Sequence, residues 1–345
     1  MRPHTPVGIV SAALWLPHGR DTAADAVAEG RLEARVARDL GHRHLPVAED
    51  VSAPDMAVRA ASEALGRSEA VAGDLALLCH AWMYYQGHDL WSPPHYIADQ
   101  LGAHAALPVG VRQICNGGAA ALELAVGRMS LETGVRYALV TTADRFVPPG
   151  FDRWRSDYGA AYGDAGTAVL LRQPAAASDA LLLRSLHSAA APQLEGMHRG
   201  NDPFARLPRD VSPVVDMRRT KRTYLREHGT DDFQKINRDM IRHVLRRALQ
   251  DAGVRPDDPR IRLAVLPRLG AKVLNADWIP VLSALLPVPM ADWGTDTGHL
   301  GTGDLAAGLH DVLHGEVLRP GEIAVLLNAG AGFTWTCAVV EATRR

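Results

Sequence analysis

Apolar runs of strand length alternate with stretches of helical spacing along most of the chain. In the first half Val7–Leu16, Leu75–Leu78, Tyr137–Thr141 and Thr167–Leu171 read as strands, short continuous apolar runs of the kind that are buried in a sheet. In the second half Ile261–Leu266, Glu322–Leu327 and Thr336–Val340 repeat the signal. Between them Met56–Leu65 and Ala119–Leu131 carry helical spacing, with Gly134 as a stop for the second. A longer helix is predicted from Phe233 to Ala252. Its rows Ile236, Met240, Val244 and Ile241, Leu245, Leu249 together make one apolar face. Such alternation predicts βαβ units and a parallel or mixed sheet covered by helices. The chain divides into two αβ halves of similar length, 1–175 and 176–345, consistent with duplication.

One segment, about 189–229, breaks the pattern. It is rich in Arg, Asp and Pro and includes Arg218, Arg219, Lys221 and Arg222. It reads as a solvated insertion capping the core, or as a local basic patch suited to an acidic carrier protein or its pantetheine arm. The whole chain has no such bias. Lys and Arg number 37 against 39 Asp and Glu, so there is no global basic field to hold nucleic acid or an anionic membrane. No apolar run reaches the ~20 residues of a membrane helix, and Val7–Leu16 reads as a first strand in preference to a signal-peptide core. The 345 residues, 47% hydrophobic and 22% charged, suffice for a large core. Cys79, Cys115 and Cys337 fit neither a disulfide framework nor a zinc motif, so a reduced, cytoplasmic protein is expected.

Candidate chemistry begins at Arg112-Gln113-Ile114-Cys115-Asn116-Gly117-Gly118. A strand, Pro108–Arg112, runs through a tight turn into a helix, which places Cys115 at a helix N-terminus. There the free N–H groups and the helix dipole favour the thiolate, the nucleophilic form. Cys79 and Cys337 fall in strand-like runs and read as buried and inert. Two further glycine-rich loops stand out: Gly298-His299-Leu300-Gly301-Thr302-Gly303-Asp304 and Asn328-Ala329-Gly330-Ala331-Gly332-Phe333. Of the 15 histidines, His299, flanked by glycines before a helix, is the candidate base.

These motifs, taken in order, resemble the thiolase superfamily, and β-ketoacyl-ACP synthase III in particular. The resemblance rests on Pro54-Asp55-Met56-Ala57, the cysteine turn, Val135–Val140 and Tyr162-Gly163-Asp164-Ala165-Gly166. It continues through Leu318-Arg319-Pro320-Gly321-Glu322 to Gly332-Phe333-Thr334-Trp335. It implies an α/β, five-layer αβαβα fold of two related halves, and a homodimer. Cys115 is then the acylated nucleophile, and the backbone N–H groups of Cys115 and Ala331 form the oxyanion hole, with Ala331 where the family has glycine. No permanently bound cofactor or metal is implied. The donor is acyl-CoA or a phosphopantetheinyl acyl carrier protein.

Two departures bear on the reaction. Condensing members carry Pro-His-x-x-Asn, and here the stretch is Pro267-Arg268-Leu269-Gly270-Ala271; an arginine is no neutral acceptor or base. Where the family has Gly-Asn-Thr-Ser, this chain has Gly298-His299-Leu300-Gly301. Gly-His-x-Gly-x-Gly-Asp resembles a divergent branch of actinobacterial natural-product pathways that moves a preformed acyl group onto a hydroxyl or another carrier. Asp304 or Asp296 is placed to orient His299, and Asp304 serves equally as an N-cap. Trp82, Tyr84, Tyr85 and Trp91, with His88 and His95, are candidates for an acyl pocket or a dimer contact, and Arg268 is a further pocket candidate. The expected function is therefore acyl transfer from carrier or CoA to a small-molecule hydroxyl or a second carrier thiol. The alternatives are decarboxylative starter-unit condensation, and a non-catalytic partner subunit.

Overall fold

The computed structural model describes residues 1–132 and 134–343. Among the described residues twelve strands form, in chain order. They are β1 (Val7–Trp15), β2 (Gly19–Thr22), β3 (His44–Val47), β4 (Leu75–Ala81), β5 (Leu107–Val111) and β6 (Tyr137–Asp144). The rest are β7 (Ala165–Arg172), β8 (Leu181–Ala190), β9 (Ile261–Val265), β10 (Met290–Ala291), β11 (Ile323–Gly330) and β12 (Thr334–Ala342). β2 and β3 pair as a separate hairpin. The other ten make one sheet in the order β10-β9-β11-β12-β8-β1-β7-β6-β4-β5.

That order is a repeat. Read outward from the centre, β1-β7-β6-β4-β5 and β8-β12-β11-β9-β10 place their first, fifth, fourth, second and third strands alike. The strand directions match too: β4 is parallel to β5 and β6, as β9 is to β10 and β11, and β7 and β12 are antiparallel to their neighbours. The two sets meet where Val7–Ile9 pair with Leu183–Leu181.

Strand alternation generates the layers, because successive side chains point to opposite faces. On β6, Ala138 and Val140 face a central core, while Tyr137 and Leu139 face an outer one. On β11, Ala324 and Leu326 face the same central core, while Ile323, Val325 and Leu327 face the opposite outer one. The helices Gly117–Leu131 and Asp304–His314 fill the centre. The helix Ala53–Gly66 covers one outside and Asp231–Ala252 the other. The result is five layers, αβαβα. The two central helices begin at the cysteine turn and the histidine loop, so the repeat itself brings these segments together.

Several elements differ from expectation. The helix Gly117–Leu131 ends with Glu132 as its cap, ahead of Gly134. β8 and the β2–β3 hairpin form where no strand was read. Inside the inserted segment a twelve-residue helix forms, Met217–His228, opened by the Asp216 carboxylate accepting from the Arg219 N–H.

Three buried histidines make stability depend on pH. Burial lowers His42 and His80 to about 4 and His198 to about 3, against an unperturbed value near ~6.5. Each stays neutral in the fold but takes up a proton on unfolding, so its contribution is complete above pH ~6.5 and is lost as pH falls towards the folded value. Asp144 opposes them, because burial raises it to about 6 and the fold takes up its proton first. With three histidines against one aspartate, chemical denaturation midpoints should fall between pH 6.5 and 4.5. The steepness approaches ~1.4 kcal/mol per pH unit per net proton. A midpoint flat over that range would show that these histidines are hydrated.

Candidate active site

The cysteine turn is held in a conformation that few residues adopt. Ile114, immediately before Cys115, has φ of +46°. For a β-branched side chain this left-handed backbone costs on the order of 1–3 kcal/mol. It reverses the chain between β5 and the helix and leaves the Cys115 side chain partly exposed, with its Sγ 4.0 Å from Met83 Sδ. The turn is closed by the Asn116 N–H donating to Gln113 O at 3.1 Å and the Gly117 N–H to Ile114 O at 2.9 Å. Cys115 thus precedes the N-cap, Asn116.

Two glycines let the neighbouring loops close on this turn. A Cβ on Gly118 would lie 2.4 Å from the Thr302 carbonyl, and one on Gly330 would lie 2.4 Å from the Asn116 nitrogen. The second contact lays Gly330, at the end of β11, against the Cys115–Asn116 backbone. Beneath, Asn328 Nδ2 donates to Cys115 O at 3.3 Å and Asn116 Oδ1 at 3.1 Å, and Asn116 joins Thr336 and Ser188 in a buried polar network. Asn328 and Thr336 were not singled out in the sequence. Only their position two residues either side of a glycine-rich turn hinted at the site.

His299 is buried, and its Nδ1 lies 2.7 Å from Asp304 Oδ2. Asp304 also accepts from the Leu300 N–H at 2.8 Å and the Arg268 N–H at 3.2 Å. In the neutral ring a carboxylate acceptor makes Nδ1 the protonated nitrogen and leaves the lone pair on Nε2, which has no geometric hydrogen-bond partner. Burial disfavours the imidazolium, but the charges of Asp304 and of Cys115 as thiolate outweigh it and raise His299 well above its ordinary value. Asp304 is lowered: burial works against ionisation and the imidazolium more than offsets it. The Tyr162 ring meets the imidazole edge-on, 5.0 Å between centroids. Its hydroxyl donates to Asp157 at 3.1 Å.

Other candidates fall elsewhere. Asp296 does not orient His299: it is 43% exposed and paired with Arg43 and His44. Asp304 is no N-cap either; the helix is capped by Gly303, and the carboxylate turns back to Leu300 and His299. Arg268 is not a pocket residue. Its guanidinium is buried against Asp311, Thr297 Oγ1 at 2.6 Å and the Trp293 carbonyl, the counter-charge a buried cation requires. Trp82 stacks on His80 over Gly110, and Trp91 packs on His88 and Tyr96, so neither joins Tyr84 in one pocket. Tyr84 packs on Phe146 and Phe151. With Tyr85 it lines a cavity of about 280 Å³ that also holds Arg145 and Arg209. The His95 ring bonds Ser92. Among the described residues no cluster of His, Cys, Asp or Glu is arranged to hold a metal, and no helix is long and apolar enough to cross a membrane.

Fold and cysteine loop together define a thiolase-fold protein built like β-ketoacyl-ACP synthase III. Among solved structures, an acyltransferase named ChlB3 superposes with a TM-score of 0.89 over 98% of both chains, at 28% sequence identity. 3-Oxoacyl-[acyl-carrier-protein] synthase III from Aquifex aeolicus VF5 matches with a TM-score of 0.76 at 19% identity, over 97% of this chain and 99% of its own. The priming β-ketosynthase of the R1128 polyketide biosynthetic pathway matches at 0.73 and 19%, over 99% and 98%. The last two likenesses speak to fold alone. No family model matches the chain, and a search of curated proteins finds no match. Together the likenesses show the fold that ketoacyl synthase III enzymes share.

Proposed function

We propose that the protein is an acyltransferase working through a Cys115 acyl-enzyme, with His299 as base and Asp304 as its orienter. The carrying observation is the imidazole itself: Nδ1 is fixed by Asp304, and Nε2 is buried, unpartnered and within electrostatic reach of Cys115. The Cys115 thiolate attacks the carbonyl carbon of an acyl thioester, and the backbone N–H groups of Cys115 and Ala331 receive the charge on oxygen. The carbon–sulfur bond to the donor breaks, and the departing thiolate takes the imidazolium proton. His299 Nε2 then accepts the proton of the acceptor hydroxyl or thiol as that group attacks the acyl carbon, and Cys115 leaves as thiolate.

The donor is acyl-CoA or a phosphopantetheinyl acyl carrier protein. Supporting this, Arg155, Arg218, Arg219 and Arg222 line a cleft of about 320 Å³ beside Asp152 and Asp216. Arg155 and Arg219 pair with Asp152 and Asp202, and Arg218 and Arg222 keep guanidinium N–H groups that can donate to phosphate oxygens. The acceptor is a small-molecule hydroxyl or a second carrier's thiol. The ChlB3 likeness favours transfer, as does the placement of Arg268, whose side chain turns to Asp311 where a condensing enzyme of this fold needs a histidine. The protein works as a homodimer in the cytoplasm, with halves at 1–175 and 176–345 and no permanently bound cofactor. Intact mass spectrometry tests the core of this reading. Incubation with acyl-CoA or acyl carrier protein should add one acyl mass, and an alcohol or carrier thiol should then remove it. A chain that never gains the mass from any thioester offered is not this enzyme.

A further inference from the structure

The helix Met217–His228 buries Thr220 and packs Met217 on the cluster around Phe146 and Phe151, and three of its polar side chains converge on one loop. Arg218 donates to the carbonyls of Asp157 and Trp154 at 2.7 and 2.9 Å. Arg222 donates to the Tyr158 hydroxyl at 2.8 Å. Lys221 pairs with one carboxylate oxygen of Asp157, both side chains largely buried. The other oxygen accepts the Tyr162 hydroxyl at 3.1 Å. Tyr162 in turn sets its ring edge against His299. The two backbones interlock beside that contact: the His299 N–H donates to Ala161 O at 2.8 Å, and the Gly163 N–H to His299 O at 3.0 Å.

We propose that Lys221, Asp157 and Tyr162 act as a relay of positioning residues that fixes the His299 ring, so that the inserted helix serves the active site as its brace. The proposal rests on His299 being the base. Packing alone calls for a phenyl ring at position 162. The buried hydroxyl adds a need for an acceptor, and the acceptor is a carboxylate that needs a cation. A buried ion pair gives little net stability, so its place here is better understood by what it holds. The hydrogen bond to Asp304 fixes one point of the buried imidazole and leaves rotation about that bond for the surrounding packing to restrain. The edge of Tyr162, itself tied to Asp157, restrains it. Such freedom matters, because a displacement near ~1 Å at a reacting group costs on the order of 100-fold.

The test uses the full-length chain with Lys221→Met, Lys221→Arg and Tyr162→Phe. Two readouts are taken: single-turnover discharge of the acyl-enzyme over a range of acceptor concentrations, and hydrogen exchange of peptides containing 161–163 and 299. Lys221→Met should lower the maximal discharge rate by roughly tenfold with the acceptor KM unchanged, and should speed exchange at both segments. Lys221→Arg should restore both. Tyr162→Phe keeps the ring and loses only the hydroxyl, so it carries the test if Lys221→Met fails to fold, and it should slow discharge several-fold. Discharge at the parent rate in Lys221→Met, or in Tyr162→Phe if the first does not fold, overturns the proposal. If His299→Ala discharges like the parent, the base assignment fails instead, while the exchange readout still reports whether Lys221 holds the histidine loop.

Discussion

Cys115→Ala should lose the acyl mass shift completely, while Cys79→Ala and Cys337→Ala load like the parent. The three thiols differ in exposure, and burial makes two of them harder to ionise. Cys79 lies on β4 and Cys337 on β12, both buried, and neither can meet a thioester without local unfolding. Burial pushes the Cys79 thiol up to about 11, with Arg128 pulling weakly the other way, and burial raises Cys337 further. A thiol near 11 is on the order of 0.01% thiolate at neutral pH, too little to compete. Cys115 alone is partly exposed, on a turn whose left-handed Ile114 and underlying Asn328 fix its backbone. The fold should tolerate the alanine, because the Cys115 side chain is partly exposed and what it loses is the 4.0 Å approach to Met83 and the interaction with His299. An unchanged melting profile with no adduct is the expected pair of results. An adduct surviving in Cys115→Ala would move the nucleophile elsewhere.

Much of this arrangement was legible in the chain, and the reasons are physical. Strands buried on both faces declare themselves as continuous apolar runs, which is why β4, β6, β7, β11 and β12 stand out. The cysteine turn is legible because glycine pairs and a sharp strand-to-helix reversal go together. β8 was not, since Arg184, Ser185, His187 and Ser188 interrupt its apolar residues, and the strand is held by pairing along β12. The helix Met217–His228 was hidden for a similar reason. It has almost no apolar stripe, and only the folded loop at Trp154–Tyr158 explains its basic residues, which read as a solvated patch. Spacing alone also left Asp296 and Asp304 open, three residues before and five after His299. The choice is made by the turn through Gly301 and Gly303, which folds the start of the helix back onto the imidazole. Arg268 shows the same limit: its counter-charge, Asp311, lies a full helix away in sequence.

His299→Ala should slow discharge of the acyl-enzyme by roughly 10²- to 10⁴-fold, the usual worth of a positioned general base. Asp304→Asn should fall in the same range, because an amide presenting its N–H₂ to Nδ1 favours the wrong tautomer. Asp296→Asn should change nothing, since its contacts are to Arg43 and His44 at the surface. The pH dependence carries a sign. In the free enzyme the charges of Asp304 and Cys115 together raise His299. Acylation removes the charge on Cys115 and lowers the proton affinity of the imidazole. The acid limb of the discharge rate should therefore lie at lower pH than the titration of His299 in the unacylated protein, which the imidazole resonance reports. The same site should not decarboxylate. Forming an enolate from a malonyl thioester calls for two hydrogen-bond donors converging beside the cysteine, and the Arg268 guanidinium is committed to Asp311, Thr297 and the Trp293 carbonyl. Freeing it would part a buried guanidinium from its counter-charge on half-buried Asp311, and from the Thr297 and Trp293 oxygens that complete its hydrogen bonds. Acyl-enzyme supplied with malonyl carrier protein should thus release no carbon dioxide, whereas an alcohol or a carrier thiol should collect the acyl group with none evolved. Stoichiometric carbon dioxide with a β-ketoacyl product would replace transfer with condensation, and would require Arg268 to leave Asp311 during turnover.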